Sequence, residues 1–306
     1  MSKINLEPSL VILAAGMGSR YGGLKQIDTV GSNGESIIDF TIYDAIEAGF
    51  KKVYLIIQEK HKEAFDAELA NKLKGHIEVE YVYQALEDIP AGYSIPEGRE
   101  KPWGTTHALL AVRKQVKEPF IILNADDYYG KDAFVQMYEY LSNHDNEDEF
   151  ALMGYQLENT LSDSGAVTRA LCGVEDGFLK EINEVSKIIK ADGQIKFENA
   201  DGEWEELGND QLASMNFWAF TPKVISLLEE VFVTFLDETV QSDPLKAEAL
   251  LPNDIGTLME TKGIKVKVFN SSDSWFGVTY ADDKPKVVEK FAEMKANKLY
   301  PEDLWA

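Results

Sequence analysis

Apolar residues run without interruption from Ser9 to Ala15, the pattern of a strand covered on both faces. Ile38, Ile42, Ala45 and Ile46 then recur at helical spacing, and Gly49 supplies a stop. The same reading predicts strands at Val53–Ile57, Ile77–Tyr83 and Pro119–Leu123, with helices at Lys60–Leu73, Thr105–Val116 and Lys131–Ser142. This β-α-β-α order implies an α/β fold, a mainly parallel sheet with helices on both faces. Beyond residue 150 the pattern changes. Phe150–Tyr155, Val167–Val174, Phe178–Val185 and Met215–Phe220 read as strands. Asp192-Gly193 and Asp201-Gly202 are turn signals, so 186–210 reads as a hairpin-rich excursion. Helices at Pro222–Asp237 and Leu245–Lys262, a strand at Ile264–Phe269 and a helix at Asp282–Lys298 complete the chain. No Pro/Gly/Ser linker divides it, so 1–306 is expected to be one elaborated domain, with 1–150 binding nucleotide and 151–306 the acceptor.

The 306 residues carry 30 Lys and Arg against 53 Asp and Glu, a net charge of −23. Such a surface repels phosphate backbones and anionic membranes, so neither nucleic acid nor membrane is an expected partner. Cys172 is the only cysteine, which excludes an intrachain disulfide or a thiolate zinc cluster and fits a reducing compartment. Only Lys3 precedes the first apolar run, which is too short for a secretory segment, and no run approaches the roughly 18 apolar residues of a membrane span. A cytoplasmic protein is expected. His61, His76, His107 and His144 show no metal spacing. His107 is expected to pack within the first turn of its helix, and Cys172 to be inert in an apolar strand.

The most informative stretch follows the first strand: Leu13-Ala-Ala-Gly-Met-Gly-Ser-Arg20-Tyr-Gly-Gly-Leu-Lys25-Gln26. Its glycines allow close backbone approach, clustered N–H groups make an anion-binding concavity, and Arg20 and Lys25 add positive charge. The combination suits a polyphosphate. The dinucleotide motif fails because Tyr21 stands where a third glycine is needed, and the P-loop pattern fails because Leu24 follows Gly23.

Leu-Ala-Ala-Gly-x-Gly-Ser-Arg followed by Lys resembles the signature of the sugar-phosphate nucleotidylyltransferases, and the resemblance extends over nearly the whole chain. It implies a Rossmann-like, GT-A-like nucleotidyltransferase fold and transfer of a nucleotidyl group from a nucleoside triphosphate to a sugar 1-phosphate, with Mg²⁺. It implies that the loop with Ala14, Ala15, Gly16, Gly18 and Ser19 wraps the triphosphate, that Arg20 holds the β/γ-phosphates and that Lys25 lies at the α-phosphate. Tyr83-Gln84 and Trp103-Gly104-Thr105-Thr106-His107-Ala108-Leu109 resemble the family's base-reading elements, so Gln84, Gly104 and Thr105 are expected around the base. An amide suits a pyrimidine or guanine edge; uracil or thymine is preferred. The spacer 85–103 is long for the family and reads as a lid or an oligomer contact.

Asn124-Ala125-Asp126-Asp127 follows a strand end, where open α/β sheets bind ligands, and the resemblance makes Asp126 the metal ligand. The family's second metal motif, Glu-x-x-x-Thr-Asp, reads here Glu248-Ala-Leu-Leu-Pro252-Asn253-Asp254. Strict register puts Asn253 at the ligand position; Asp254 is taken as the second ligand, with Glu248 as an alternative. On the acceptor side, Ser164-Gly165-Ala-Val, Glu181-Ile-Asn-Glu184 and Met215-Asn216-Phe-Trp218 resemble sugar-pocket elements, which assigns Gly165, Glu184 and Asn216. The lysine normally after the acidic residue is Val185 here, with Lys187 as its replacement, and Trp218 replaces a glycine and would reshape the pocket. Trp275-Phe-Gly-Val-Thr resembles a late turn and reads as structural. The family is often homo-oligomeric. No left-handed β-helix segment follows, so an acetyltransferase fusion is not expected. Two rivals remain. A glycosyltransferase of similar fold would hold metal with Asp-x-Asp, where Tyr128 takes the third position. A nucleotide-sugar sensor would fit the departures at Leu24, Val185, Trp218 and Asn253.

Overall fold

The computed structural model of the protein describes residues 7–16, 24–162, 164–271, 273–278 and 281–306. The first half alternates as expected: β1 (Ser9–Leu13), α1 (Ile37–Ala48), β2 (Lys52–Ile57), α2 (Lys62–Phe65) and α3 (Asn71–Leu73) joined by a π-helical turn, β3 (Glu78–Tyr83), α4 (Thr105–Leu110) and β4 (Phe120–Asn124). A short β5 (Asp127–Tyr128) and α5 (Lys131–Asn143) follow. Ser36 and Asp39 form a capping box at the start of α1, and Gly49, at φ 117°, ends it. β4, β1, β2 and β3 pair in parallel, in that order.

The second half comprises β6 (Glu149–Gln156), β7 (Val167–Glu175), β8 (Phe178–Ala191), β9 (Gln194–Glu198), β10 (Trp204–Leu207), β11 (Leu212–Phe220), α6 (Lys223–Ser242), α7 (Leu251–Lys262), β12 (Lys265–Asn270), β13 (Phe276–Gly277) and α8 (Lys284–Ala296). Here the parallel pattern gives way. β11 runs antiparallel to both β4 and β6, and only β12 and β6 pair in parallel. The cause is the connections. Asp176-Gly177 and Asp192-Gly193, with all four residues at positive φ, are two-residue hairpin turns that force β7, β8 and β9 antiparallel. The excursion 186–210 is accordingly the hairpin β8–β9–β10 at the sheet edge. The sheet crosses residue 150 without a break, because β11 inserts between β4 and β6.

Alternation along the central strands feeds two cores. Leu10, Ile12, Ile121 and Leu123 face α1, α2–α3 and α5; Val11, Phe120 and Ile122 face α4, α6 and α7. α7 begins six residues later than the pattern suggested. Pro252 belongs to its first turn, and 243–250 forms an irregular strap instead. Among the described residues no helix is long and apolar enough to cross a membrane.

The C-terminal segment docks on the outer face of α1. Phe291 stacks on Phe40 at 3.9 Å, buried Lys295 bonds buried Glu35 at 2.6 Å, and the Tyr300 hydroxyl donates to Asp44 Oδ2 at 2.6 Å. Burial pushes the Asp44 carboxyl up to about 8. The folded protein therefore keeps a proton that the unfolded chain has already released, so stability falls as pH rises from about 4 to about 8 and is flat above. Urea unfolding at about pH 5 and about pH 8.5 should show this loss, and Asp44→Asn should reduce it, the remainder coming from other buried carboxyls such as Asp127 and Asp254. An equal loss in both proteins would place its origin elsewhere.

Candidate active site

The parallel strands deliver their C-terminal ends to one edge of the sheet, where Leu13, Gln58, Gln84 and Asn124 lie side by side. The chain leaving β1 is held there by main-chain bonds: Ala14 N–H donates to Ile56 C=O (2.8 Å), and Ala125 N–H to Leu13 C=O (3.1 Å). Two amide side chains extend the hold. Gln58 Nε2 donates to Ala15 C=O (2.7 Å) and Gln26 Nε2 to Gly16 C=O (2.8 Å). Gln26 is buried, and its Oε1 has no partner among the described residues. Neither glutamine was assigned a role from the sequence; only their side-chain reach back to the loop reveals it. Gly18, Ser19 and Arg20 lie outside the described residues.

The chain re-enters at Leu24, and a single 3₁₀ turn, Lys25–Ile27, carries Lys25 to Asp126. Nζ and Oδ2 are 2.5 Å apart, a charge-assisted contact between groups that are only 14% and 29% exposed. Asp127, next in sequence, lies deeper and reaches only the second of the cavities described below. It is buried where β5 pairs with β13, accepts from Asn124 Nδ2 (3.0 Å), and burial together with the Asp126 charge pushes its carboxyl up to about 7. Asp126 thus faces the cleft, while Asp127 braces the strand end.

Two cavities meet at this pair. One, of about 450 Å³, is lined by Ala15, Gly16, Gln26, Gln84, Gly104 and Glu248; the other, of about 310 Å³, by Arg169, Glu184, Trp275 and Leu250. Lys25, Thr105, Asn124, Asp126 and Asn216 line both. Of the residues expected around a nucleotide the first holds Ala15, Gly16, Gln84, Gly104 and Thr105, with Ala14 behind its lining, and of those expected around an acceptor the second holds Glu184 and Asn216.

On the nucleotide side, Gly104 sits at φ 103°, and a Cβ there would lie 2.3 Å from the Ala249 carbonyl oxygen. The close approach is a short ladder. Ala249 N–H donates to Trp103 C=O (2.8 Å), Thr106 N–H to Ala249 C=O (3.1 Å), and Leu251 N–H to Thr105 Oγ1 (2.9 Å). Gln84 Nε2 donates to Gly104 C=O (3.2 Å) and lies 3.1 Å from His107 Nδ1. The insertion 85–103 packs down rather than standing free. Arg113 grips Asp88 with both terminal nitrogens, Trp103 Nε1 donates to Leu86 C=O, and Tyr93 bonds Asp237 on α6. Arg99, 5% exposed, lies 3.7 Å over the Trp103 ring and donates to the carbonyls of Lys101, Pro102, Pro244 and Ala247. The insertion is a clamp on the strap 243–250.

On the acceptor side, β11 breaks register with β6 between Ser214 and Trp218. Asn216, at φ 61°, sits in this bulge, and its buried Oδ1 has no partner among the described residues. Glu184 reaches the same cavity from β8; burial, then the nearby Glu248 charge, raises its carboxyl. Trp218 does not reshape the cavity. It is fully buried against Phe220 on the α6–α7 face, because the bulge has turned its side of the strand into the core.

Three assigned residues stand elsewhere. Lys187, at φ 56° on β8, bonds Glu198 at 2.8 Å across the β8–β9 hairpin and lines neither cavity. Besides Lys25, a second cation reaches the acceptor cavity, Arg169, which pairs in register with Val185, the position where a lysine was missing. Strand pairing revealed it; linear spacing could not. Gly165 bridges Ser162 in the turn before β7, and Thr168, Arg169 and Ala170 line the cavity instead. Asp254 accepts from Thr106 Oγ1 (2.5 Å) at the α4–α7 contact, burial raises its carboxyl to about 6, and it lines neither cavity. Glu248, bonded to Lys101 at 2.5 Å, is the carboxylate of that segment that faces the nucleotide cavity. Trp275, read as structural, lines the acceptor cavity as well. Among the described residues no three His, Cys, Asp or Glu side chains cluster as a metal cage. Cys172 is buried with its thiol pushed up to about 12, an inert group.

The family model for nucleotidyl transferase matches residues 9–231. The chain belongs to the nucleotidyl transferase family. The match begins at β1 and ends within α6, so it takes in both cavity walls up to the bulge of β11. The bifunctional protein GlmU of Methanococcus maripaludis is 24% identical over 251 residues, covering 71% of this chain and 55% of that protein, so the chain spans about half the length of this curated relative. The inositol-1-phosphate CTP transferase from T. maritima superposes with a TM-score of 0.61 at 16% identity, over 94% of this chain and 96% of that one. UDP-glucose pyrophosphorylase from Acinetobacter baumannii superposes with a TM-score of 0.58 at 16% identity, over 96% and 99%. At such identities the superpositions establish the fold.

This nucleotidyl transferase therefore joins its base side to its α7 strap through Arg99. Arg99→Leu leaves buried carbonyls unpaired and should cost roughly 3 kcal/mol of stability, read from urea unfolding. A change below about 0.5 kcal/mol would show that the clamp carries no load.

Proposed function

We propose that this nucleotidyl transferase makes a nucleoside diphosphate sugar and pyrophosphate from a nucleoside triphosphate and a sugar 1-phosphate. The observation that carries the reading is the Lys25–Asp126 pair at the junction of the two cavities. A donor in one cavity and an acceptor in the other would meet there. An oxygen of the acceptor phosphate attacks the α-phosphorus; the new P–O bond forms as the bond to the β-phosphate oxygen breaks, and pyrophosphate leaves. The nucleophile is already anionic, so no strong protein base is required. The protein's tasks are orientation and charge neutralisation.

Lys25 supplies fixed positive charge at the junction, and Arg20 is proposed to do so from the adjoining loop. Arg169 supplies it at the acceptor cavity, while Glu184 and Asn216 offer acceptor oxygens for sugar hydroxyls. Asp126 and Glu248 present oxygen donors to the shared space, a sparse hard set that suits Mg²⁺, which completes its shell with phosphate and water. Mg²⁺ would lower the charge on the phosphate oxygens. Triphosphate use fits a cytoplasmic enzyme. The glycosyltransferase rival is disfavoured by the family match.

Pyrophosphate release is the test, with Mg²⁺, several triphosphates and a panel of sugar 1-phosphates, plus choline phosphate as a non-sugar acceptor. Signal should require both substrates. Lys25→Ala should lower kcat/KM by about a hundredfold or more, the scale for losing one electrostatic donor. Unchanged turnover in that variant would remove Lys25 from the mechanism.

A further inference from the structure

Gln84 and His107 form a hydrogen-bond chain whose direction is fixed at both ends. At one end Gly104 C=O can only accept, so the Gln84 atom 3.2 Å away must be its NH₂ nitrogen. The second hydrogen of that nitrogen then points to His107 Nδ1, 3.1 Å away, which must accept. A neutral imidazole that accepts at Nδ1 carries its proton on Nε2. At the other end, His107 Nε2 lies 3.0 Å from Asp88 C=O, which again can only accept. Every link agrees. The chain is also anchored: Arg113 grips Asp88, and His107 is 2% exposed beside Phe232. Burial lowers the basicity of His107, which favours the neutral ring that the chain needs.

Both N–H bonds of the Gln84 amide are thus spent on the protein, and Oε1 is left for the space that Gln84 lines, the cavity it shares with Gly104 and an adjoining one of about 470 Å³ that it shares with Arg99 and Trp103. We infer that His107 is the positioning residue for base choice: by holding Gln84 with its oxygen outward, it selects a base that carries a hydrogen on the ring nitrogen of its Watson–Crick edge. Uracil and thymine offer N3–H and guanine N1–H; cytosine and adenine place a lone pair there, against the lone pairs of Oε1. The inference rests on the nucleotidylyl-transfer reading for its ligand and on the expected place of Gln84 at the base, and adds the residue that sets the choice.

The test is direct binding of UTP, dTTP, GTP, CTP and ATP to the full chain by calorimetry, together with the pyrophosphate assay. Wild type should bind UTP, dTTP or GTP at least about tenfold more tightly than CTP and ATP, the scale of one hydrogen bond lost and one clash gained. His107→Leu frees the amide to turn over and should bring UTP and CTP within about threefold of each other. His107→Asn, which can place Oδ1 near the position of Nδ1, should keep the discrimination. Nitrogen NMR of the His107 ring in the unmodified protein should show Nε2 protonated and Nδ1 bare at neutral pH, a readout independent of whether either variant folds. Tightest binding of CTP or ATP, a protonated Nδ1, or an unchanged ratio in His107→Leu would overturn the inference. Triphosphates that bind in the expected order without pyrophosphate release from any acceptor would overturn the transfer reading and leave the base inference standing. No binding of any triphosphate would overturn both.

Discussion

Two main-chain hydrogen bonds at the end of β1 set the geometry on which the site depends. Ala14 bonds β2 through Ile56, and Leu13 bonds the turn after β4 through Ala125. They bring the loop after β1 and the carboxylate turn after β4 to the same edge, and Lys25 and Asp126 are carried into contact as a result. A parallel sheet makes this possible because its strands finish together; an antiparallel meander would send alternate ends to opposite edges. The antiparallel second half does not disturb that edge. It joins through β11, which pairs with β4 near its start and bulges near the cleft, and the bulge delivers Asn216.

The first half of the fold was legible because each element carries a local signal: continuous apolar strands, helical spacing on α1, a glycine stop. The loop motif and Asp126 were legible for the same reason, since one short segment holds the whole pattern. What escaped depends on contacts between distant segments. Arg169 was invisible as a replacement for the missing lysine because their equivalence lies across the β7–β8 ladder, not along the chain. Lys187 was attractive on spacing alone, yet positive φ and Glu198 hold it on the far side of a hairpin. Asp254 was chosen by register with a motif, but the late start of α7 shifts the cavity-facing carboxylate to Glu248.

A chain with net charge −23 that is to bind a polyanion works against its own field. At physiological salt that field is screened beyond roughly 8 Å, so the charges inside the cleft decide. Lys25 and Arg169 there are faced by Asp126, Glu184 and Glu248, and Lys101 joins them through Glu248. Asp126 holds Lys25 and Glu248 holds Lys101 in place in the unliganded protein, while Arg169 donates to the carbonyls of Thr160 and Thr168. The carboxylates would also leave an excess negative charge once phosphates enter, and this is the electrostatic case for a divalent ion in the bound state.

The clamp formed by 85–103 links the two cavities mechanically. Trp103, Thr105 and Thr106, on either side of Gly104, share one ladder with Ala249 and Leu251, so the wall at Gly104 is tied to the strap that carries Glu248. Arg99 fixes the strap from beneath, and Trp103 and Arg113 fix the clamp to the body. A base that displaces Gly104 would displace Glu248 with it, whereas one that fits beneath Gln84 leaves the carboxylate where the phosphates pass. Because the Gly104–Ala249 approach leaves no room for a side chain, the coupling cannot be relaxed by a small shift of either wall. Base recognition and charge placement are in this way parts of a single constraint.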